Sequence, residues 1–587
     1  MGKLFLALTI VVFSFASIIA QTQPTPTPQA TPTPTPGNQN DITPAVLPDD
    51  PPPVAPNFEA PLRPLPSADR IGVDNSRQLT LTLEKVVEMA LQNSNDIDAT
   101  RNDVRIAEYN LRASEGVYDP LFSTRSYFES ATTPTASTIG GAVNGSVTQR
   151  RFFGSAGVSG FSPYSGGSYS ADFSTSRLRT SNLNATLNPQ FPTALTFTYV
   201  QPLFRGRKID NNRRQIEIAK KNLSLSDSQF RQRAIEVIAR VEQAYWDLVY
   251  SLRNLQVQID AVKQARQQLE SNQRLVSKGA LAPIDIVAAN SQITTFEQNV
   301  YTAQEDVTRA ENNLKTLMLA DRSAPEWSRP ITPISEISLS PPLVDLEVAT
   351  IDALRNRPEI AQFRTSDEIN KIDERYFRDL TKPQIDLFGT YTMQGLAGTP
   401  KVGSTTVPAN LSGTYFNSLG NLIQQDYPTY QVGVQITLPW GNRTAKANLG
   451  RTLVQGERIE NQKAQAEQII EAEVRNSLQA LRSAEARLKA AVATRKSAEQ
   501  LYQSEERQFR AGTTTFYLVL QRQTDLITAR GRELQSQTDL NKAISEFQRA
   551  TGTTLNANNV TVTDTTLTRV DPKTGGGSQD SAVTVID

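Results

Sequence analysis

The chain of 587 residues contains neither histidine nor cysteine. The usual general base, the commonest metal ligands and the thiol nucleophile are absent together. Ser-Lys or paired-carboxylate chemistry would remain, but the acidic residues lie scattered among Lys and Arg along helical stretches, the pattern of a solvated coiled-coil face. Gly575 to Gly577 precede neither a helix nor a phosphate-binding Lys and read as tail. No catalytic constellation emerges, so no enzymatic activity, cofactor or metal is expected. With 60 basic and 60 acidic residues the charges balance, which gives no support to a nucleic-acid partner. The lack of Cys also excludes disulfides and lipid attachment through an N-terminal cysteine.

What the chain does must therefore rest on its long elements. Asn211 to Lys278 runs for 68 residues without Pro or Gly, and one helix of that length measures about 100 Å. Its apolar residues Phe230, Ala234, Val237, Val241, Tyr245, Leu248, Leu252, Leu255, Ile259 and Val262 return in steps of three and four, a coiled-coil seam. Ahead of the folded region, Met1 to Lys3 and the apolar run Leu4 to Ala20 read as a signal peptide over residues 1–20. Residues 21–78 form a Pro/Thr-rich linker, with fifteen prolines between 21 and 66, a composition that favours extended solvated chain.

The two halves repeat. Gly279 follows the 68-residue stretch and precedes the periodic run Ile284 to Leu319; Gly512, 233 positions later, follows Thr444 to Ala511 and precedes Thr515 to Ala550. Each half opens on a shorter helical pattern, Leu83 to Ser114 and Leu346 to Leu380, the latter interrupted at Arg357-Pro358. The expected divisions are a first repeat at 79–320, a Pro-rich mid-height connector at 321–345, a second repeat at 346–552 and a flexible tail at 553–587. Summing lengths, Leu346 to Leu380 is expected to stack on Ile284 to Leu319, and Thr515 to Ala550 on Leu83 to Ser114.

Between opener and long helix the period changes to two. Tyr430, Val432, Val434, Ile436 and Leu438 alternate with Gln431, Gly433, Gln435 and Thr437. Leu195, Phe197 and Tyr199 oppose Thr196 and Thr198; Ile385, Leu387, Gly389 and Tyr391 oppose Gln384, Asp386 and Thr390; residues 168–176 alternate as well. Strands with one oily and one polar face suit a barrel in lipid with a watery lumen. Four strands per chain cannot close one, so the chain is expected to oligomerise.

Taken together, the chain resembles the TolC-type outer membrane efflux protein (outer membrane factor) family over residues 79–552. The features that carry the likeness are the duplicated strand-helix units, Gln201-Pro202-Leu203-Phe204 with Gly206 at the first junction, Leu438-Pro439-Trp440-Gly441 at the second, and the turns opened by Gly279 and Gly512. The resemblance implies an α+β membrane protein: a homotrimer with a twelve-stranded barrel, four strands per chain, continuous with a long coiled-coil periplasmic tunnel. It implies an outer-membrane location in contact with lipid, docking to a periplasmic adaptor (membrane fusion) protein, and an inner-membrane pump of RND or ABC type. Residues 130–192 and 394–428 become outer loops, and Trp440, Tyr199 and Phe204 fit an interfacial aromatic belt.

The same resemblance makes the two Gly turns the periplasmic tip, with Gly279, Leu281, Asp285, Phe509, Gly512, Thr513, Phe516 and Leu518 as docking and gating candidates. Asp285 matches an acidic residue of relatives. Leu518, Gln521, Phe509 and Thr514 stand where relatives carry acidic, aromatic-hydroxyl or Arg residues, which argues against an ionic lock and a carboxylate ring. Apolar contacts around Phe509, Phe516 and Leu518 are expected to hold the tip instead. The function that follows is a passive exit duct of a tripartite efflux or type I secretion system. The alternatives are a periplasmic coiled-coil adaptor or scaffold without a barrel, and a surface-layer or adhesive protein.

Overall fold

Two helices of nearly equal length organise the chain, and glycine ends both. In the computed structural model, which describes residues 70–136, 140–142, 144–337, 341, 344–402, 407–563 and 566–569, the first half runs β1 (Leu79–Leu81), α1 (Leu83–Asn93), α2 (Asn95–Glu115), β2 (Leu121–Pro134), β3 (Ser146–Phe161), β4 (Ser168–Thr180), β5 (Leu187–Pro202), α3 (Asn211–Ser277) and α4 (Ile284–Met318). The short β6 (Ile331–Pro333) leads to α5 (Leu346–Asn356), α6 (Pro358–Leu380), β7 (Gln384–Pro400), α7 (Tyr415–Ile423), β8 (Tyr427–Thr437), α8 (Arg443–Arg510) and α9 (Phe516–Thr551). The described chain closes with α10 (Thr554–Ala557) and the hairpin β9 (Val560–Thr563) and β10 (Thr566–Arg569).

The long helices match the expected stretches to within a residue or two: α3 has 67 residues and α8 has 68. Asp210 caps α3 by accepting from the Arg213 amide at 2.9 Å. Gly279 at φ +71° and Gly512 at φ +75° then supply the left-handed residue that turns the chain back. Neither Gly450 nor Gly456 interrupts α8, because packing of the seam outweighs the roughly 1 kcal/mol that a glycine costs a helix. The openers are broken helices. Ser94 separates α1 from α2, and Pro358, lacking an amide donor, starts α6 after Arg357.

The stacking differs from the expectation. Each returning helix abuts the opener of its own half: α4 meets α1, and α9 meets α5. The Asn93 amide donates to the Met318 carbonyl at 3.3 Å and the Asn95 amide to that of Ala320 at 3.2 Å. Gly552, just after α9, lies so near the α5-α6 break that a side chain there would meet Asn356 backbone at 3.1 Å. The physical reason is the connector, which does not carry the chain across. Instead β6 pairs in parallel with β1, Leu79 opposite Ile331, tying 321–345 back to the first opener. The halves join laterally through α6, which packs on both α3 and α8.

Three apolar clusters line these contacts. The largest surrounds Tyr245, fully buried, whose hydroxyl donates to the Leu81 carbonyl at 3.2 Å and accepts from the Ser335 amide at 3.1 Å. The tail expectation also needs correcting: its start packs, with Thr554 buried, Val560 in that cluster and Asn558 on Glu242 at 2.9 Å. Residues 1–20 and most of 21–78 lie outside the described residues; the end of that linker is anchored, since Arg70 reaches Glu311 at 2.6 Å.

A single six-stranded antiparallel sheet, ordered β2-β3-β4-β5-β7-β8, replaces the four expected strands. Most of the supposed first outer loop is strand. The sequence of β3, with Gly154, Ala156 and Gly157 among its middle residues, alternates too weakly in hydrophobicity to announce itself, but it fills a register set by its neighbours on both sides.

At mid-height Glu311 bridges Arg70 and Lys315, at 2.6 and 2.5 Å, and the Lys315 ammonium also donates to the Trp327 carbonyl at 2.8 Å. All three side chains are almost wholly buried. Replacing Glu311 with Leu leaves two buried cations without their counter-ion and is expected to cost about 3–5 kcal/mol. A lowered thermal midpoint of the detergent-solubilised protein, followed by circular dichroism, checks this.

Candidate functional site

Strand register assigns every sheet residue to one of two faces. One face carries Phe122 and Phe128 of β2, Phe152, Ala156 and Val158 of β3, Tyr169, Ala171 and Phe173 of β4, Leu195, Phe197 and Tyr199 of β5, Ile385, Leu387, Tyr391 and Met393 of β7, and Tyr430, Val432, Val434 and Ile436 of β8. The other carries Ser123, Arg125, Glu129, Ser155, Arg151, Ser170, Asp172, Ser174, Thr196, Thr198, Asp386, Thr390, Thr392, Gln431 and Gln435. The first is an oily surface and the second a polar one, and Thr196 and Thr392 are hydrogen-bonded across the latter at 3.2 Å. No helix among the described residues is long and apolar enough to cross a membrane.

The junction residues meet as expected in the first half. Pro202 ends β5 opposite Asp386, where its missing donor costs no ladder bond at the sheet's end. Gly206, at φ +83°, donates its amide to the buried Asp379 carboxylate at 2.7 Å and accepts from Arg213 at 2.6 Å. Lys382 holds Asp379 at 2.6 Å and lies 5.6 Å from the Phe204 ring centre. The second junction is looser. Gly441 and Asn442 both adopt positive φ, Asn442 donates to the Leu380 and Thr381 carbonyls at 3.2 Å, and Trp440 beside Pro439 is fully exposed. Tyr199 sits on the oily face with its hydroxyl on Gln201 at 2.8 Å.

At the far end of the helices the structure brings some tip candidates together and separates others. Phe509 and Phe516 pack ring against ring at a tilt, centres 5.7 Å apart, and Phe516 is buried with Val519 among residues of α3 and α4. Thr513 donates to the Gln508 carbonyl at 3.0 Å and Thr514 to Glu505, closing the Gly512 turn from within. Leu518 does not join this cluster. It lies on the exposed side of α9 beside Tyr517. Asp285 opens α4 in its first turn, while Leu281 is half-buried in the Gly279 turn.

Sequence reasoning missed Glu242, which is buried where α3, α9 and the closing turn converge. It accepts from Ser545 and from Asn558. Burial pushes its carboxyl above the usual range, and the two hydrogen bonds only partly offset this. No local signal set it apart, since Glu236, Asp247 and Asp260 also fall between residues of the seam.

A sheet that is oily on one face and polar on the other, continuous with two equal helical columns, has the two faces that lipid and a watery lumen call for. The chain belongs to the outer membrane efflux protein family, whose profile matches residues 168–318 and 351–553. Similar solved structures include the outer-membrane channel OprN (17% identity, TM-score 0.57, covering 82% of this chain and 94% of that one). The CmeC outer membrane channel of Campylobacter jejuni (16%, 0.56, 80% and 86%) and the outer membrane protein VceC of Vibrio cholerae (14%, 0.54, 80% and 96%) have the same fold. No curated protein matches the chain by sequence. The protein is an outer membrane exit duct of the efflux type, with its helical tunnel in the periplasm; the family's members are channels rather than enzymes.

Because the folded carboxyl of Glu242 holds its proton above the unfolded pKa, its stabilising contribution is complete below about pH 4.5 and is lost as pH rises through the folded value. Glu242→Gln should remove that loss. The difference in thermal midpoint between variant and wild type is expected to shift in the variant's favour from pH 4.5 to pH 8; a difference independent of pH would contradict the shifted carboxyl.

Proposed function

We propose that three copies close edge to edge into one barrel of eighteen strands, wider than the twelve implied by resemblance, and that the polar face lines its lumen. The observation that carries this is the six-stranded sheet with one face that is mainly oily on all six strands. Its edges are β2 and β8, of 14 and 11 residues, each with an unpaired backbone that hydrocarbon would not tolerate. Both edge strands are exposed almost throughout, as surfaces awaiting a partner are. Eighteen strands about 4.8 Å apart and tilted about 40° trace a perimeter of about 110 Å, close to that of twelve helices packed about 9 Å apart. Twelve is what three chains with four helices at each level contribute, α2, α3, α6 and α8 beside the sheet and α3, α4, α8 and α9 at the tip.

In this reading transport involves no chemistry. A periplasmic adaptor and an inner-membrane pump of RND or ABC type, in efflux or type I secretion, supply the energy, and the tip dilates to admit cargo. The exposed Leu518 faces the corresponding residues of neighbouring copies and keeps the resting tip narrow, while Phe509 and Phe516 fix the turn that presents it. Gly279, Leu281, Asp285, Gly512 and Thr513 form the surface on which the adaptor docks.

Two measurements test this. Since the chain lacks Cys, Ser126→Cys on β2 combined with Val432→Cys on β8 should yield a covalent trimer on mild oxidation, read on a denaturing gel. Neighbouring pairs along the same two edges should do likewise, and exclusively monomeric products from all of them would refute the closure. Leu518→Ala should raise the resting conductance in planar bilayers by severalfold without lowering the thermal midpoint; an unchanged conductance would remove Leu518 from the gate.

A further inference from the structure

The oily face of the sheet bears three charged side chains, and all three are arginines. Arg150 on β3 stands directly opposite Arg179 on β4, and Arg177, two residues along β4, stands opposite Phe152. On the other side Arg150 faces Ser130, and Phe152 faces Phe128, on β2. All three arginines are exposed, and among the described residues no acidic side chain shares this face on any of the six strands. Like charges directly opposite across an antiparallel pair destabilise it. A pairing kept in this register, next to exposed Phe128 and Phe152, therefore calls for an anion from outside the chain.

Their height is defined by the strands. The turn between β3 and β4 adjoins the helical junction: Ser165 donates to Gln201 at 2.8 Å, and a side chain at Gly166 would meet Arg213 at 2.6 Å. Arg150 and Arg179 lie at the opposite ends of their strands, ten residues beyond Gly160 and Tyr169. Ten residues at about 3.3 Å rise and 40° tilt climb about 25 Å, the height of the apolar band of an outer-membrane barrel. The arginines thus sit at the outer rim of that band, with Phe128 and Phe152 on the same face level with Arg177 and below Arg150 and Arg179, and Val158 deeper still.

We infer that Arg150, Arg177 and Arg179 bind the phosphate of a phosphorylated outer-leaflet glycolipid whose acyl chains lie along Phe152, Phe128 and Val158. Guanidinium forks suit phosphate oxygens, and one doubly charged phosphate between Arg150 and Arg179 converts their repulsion into two attractions. The inference rests on the barrel reading, in which this face points outward.

The test uses the full-length protein in detergent, titrated with bisphosphorylated lipid A, with its dephosphorylated form, and with inorganic phosphate, bound lipid being read by native mass spectrometry. Wild type should bind bisphosphorylated lipid A at least tenfold more tightly than the Arg150→Gln/Arg179→Gln variant, and more tightly than it binds the dephosphorylated form. Equal binding in either comparison overturns the site, and displacement of lipid A by millimolar inorganic phosphate would show a free-anion site instead. The thermal midpoint supplies a second readout that a misfolded variant would fail. Without lipid A the variant should be the more stable, having lost the repulsion, and with lipid A the wild type should be; an order that does not reverse also overturns the proposal. Conductance of the wild type in bilayers free of lipid A tests the barrel separately.

Discussion

Hydrocarbon offers a backbone amide no hydrogen-bond partner, and this constraint shapes the rest of the molecule. Within the sheet every neighbouring pair of strands is laddered in regular antiparallel register, and the irregularity between Leu187 and Gln190 lies at the outer end, where water is available. What one chain cannot satisfy are the outer edges of β2 and β8. The proposed closure between copies would satisfy these edges. Among the helices, α3 packs on α2, α4, α6 and α9 within the chain, whereas α8 leaves Leu453, Val454, Ile469 and Leu501 exposed.

The junction transmits this constraint to the periplasmic part. A strand ends with its side chains alternating, whereas a helix must start with its seam facing its neighbours, so the connection has to rotate the chain within a few residues. In the first half Gly206 does this, pinned by the buried Asp379 and by Arg213, and the residues from both halves that meet there hold the sheet rigidly on α3 and α6. In the second half Asn442 makes the turn with only backbone acceptors, and Trp440 is left facing outward. The asymmetry places the firm hinge at α3 and α6 and the compliant one at α8.

Much of this was legible in the residues. Seam periodicity and the two turn glycines located α3, α4, α8 and α9, because a sustained 3.5-residue repeat and a left-handed stop are local signals. The strands β5, β7 and β8 alternate strongly enough to be seen. The hairpin of β2 and β3 was not legible, since Phe122, Thr124, Ser126 and Phe128 become one face only once their opposition to Val158, Ala156, Gly154 and Phe152 is known. Nor was α7, whose polar Ser418 and Asn421 are turned inward onto Thr193 and the Leu396 carbonyl while Phe416 and Ile423 are exposed, the reverse of the pattern by which a helix on a soluble core is recognised. The stacking of the halves failed for a different reason. Lengths add up equally well for either partner, and only the parallel pair of β1 with β6 decides between them.

At the tip, sequence comparison of positions and the physics of packing lead to different parts of the same answer. Phe509 and Phe516 meet inside one chain, where Phe516 is buried against α3 and α4 and Phe509 packs partly buried beside it. Leu518 is free of that packing and exposed. A residue that fills no core in its own chain can be moved without unfolding anything, so in the proposed trimer the energy separating closed from open states would lie in contacts between copies. Apolar contacts of this kind are short-ranged and insensitive to salt, unlike the ion pairs they stand in for. A tip closed as proposed would open when its helices are drawn apart mechanically, and would respond little to the ionic composition of the periplasm.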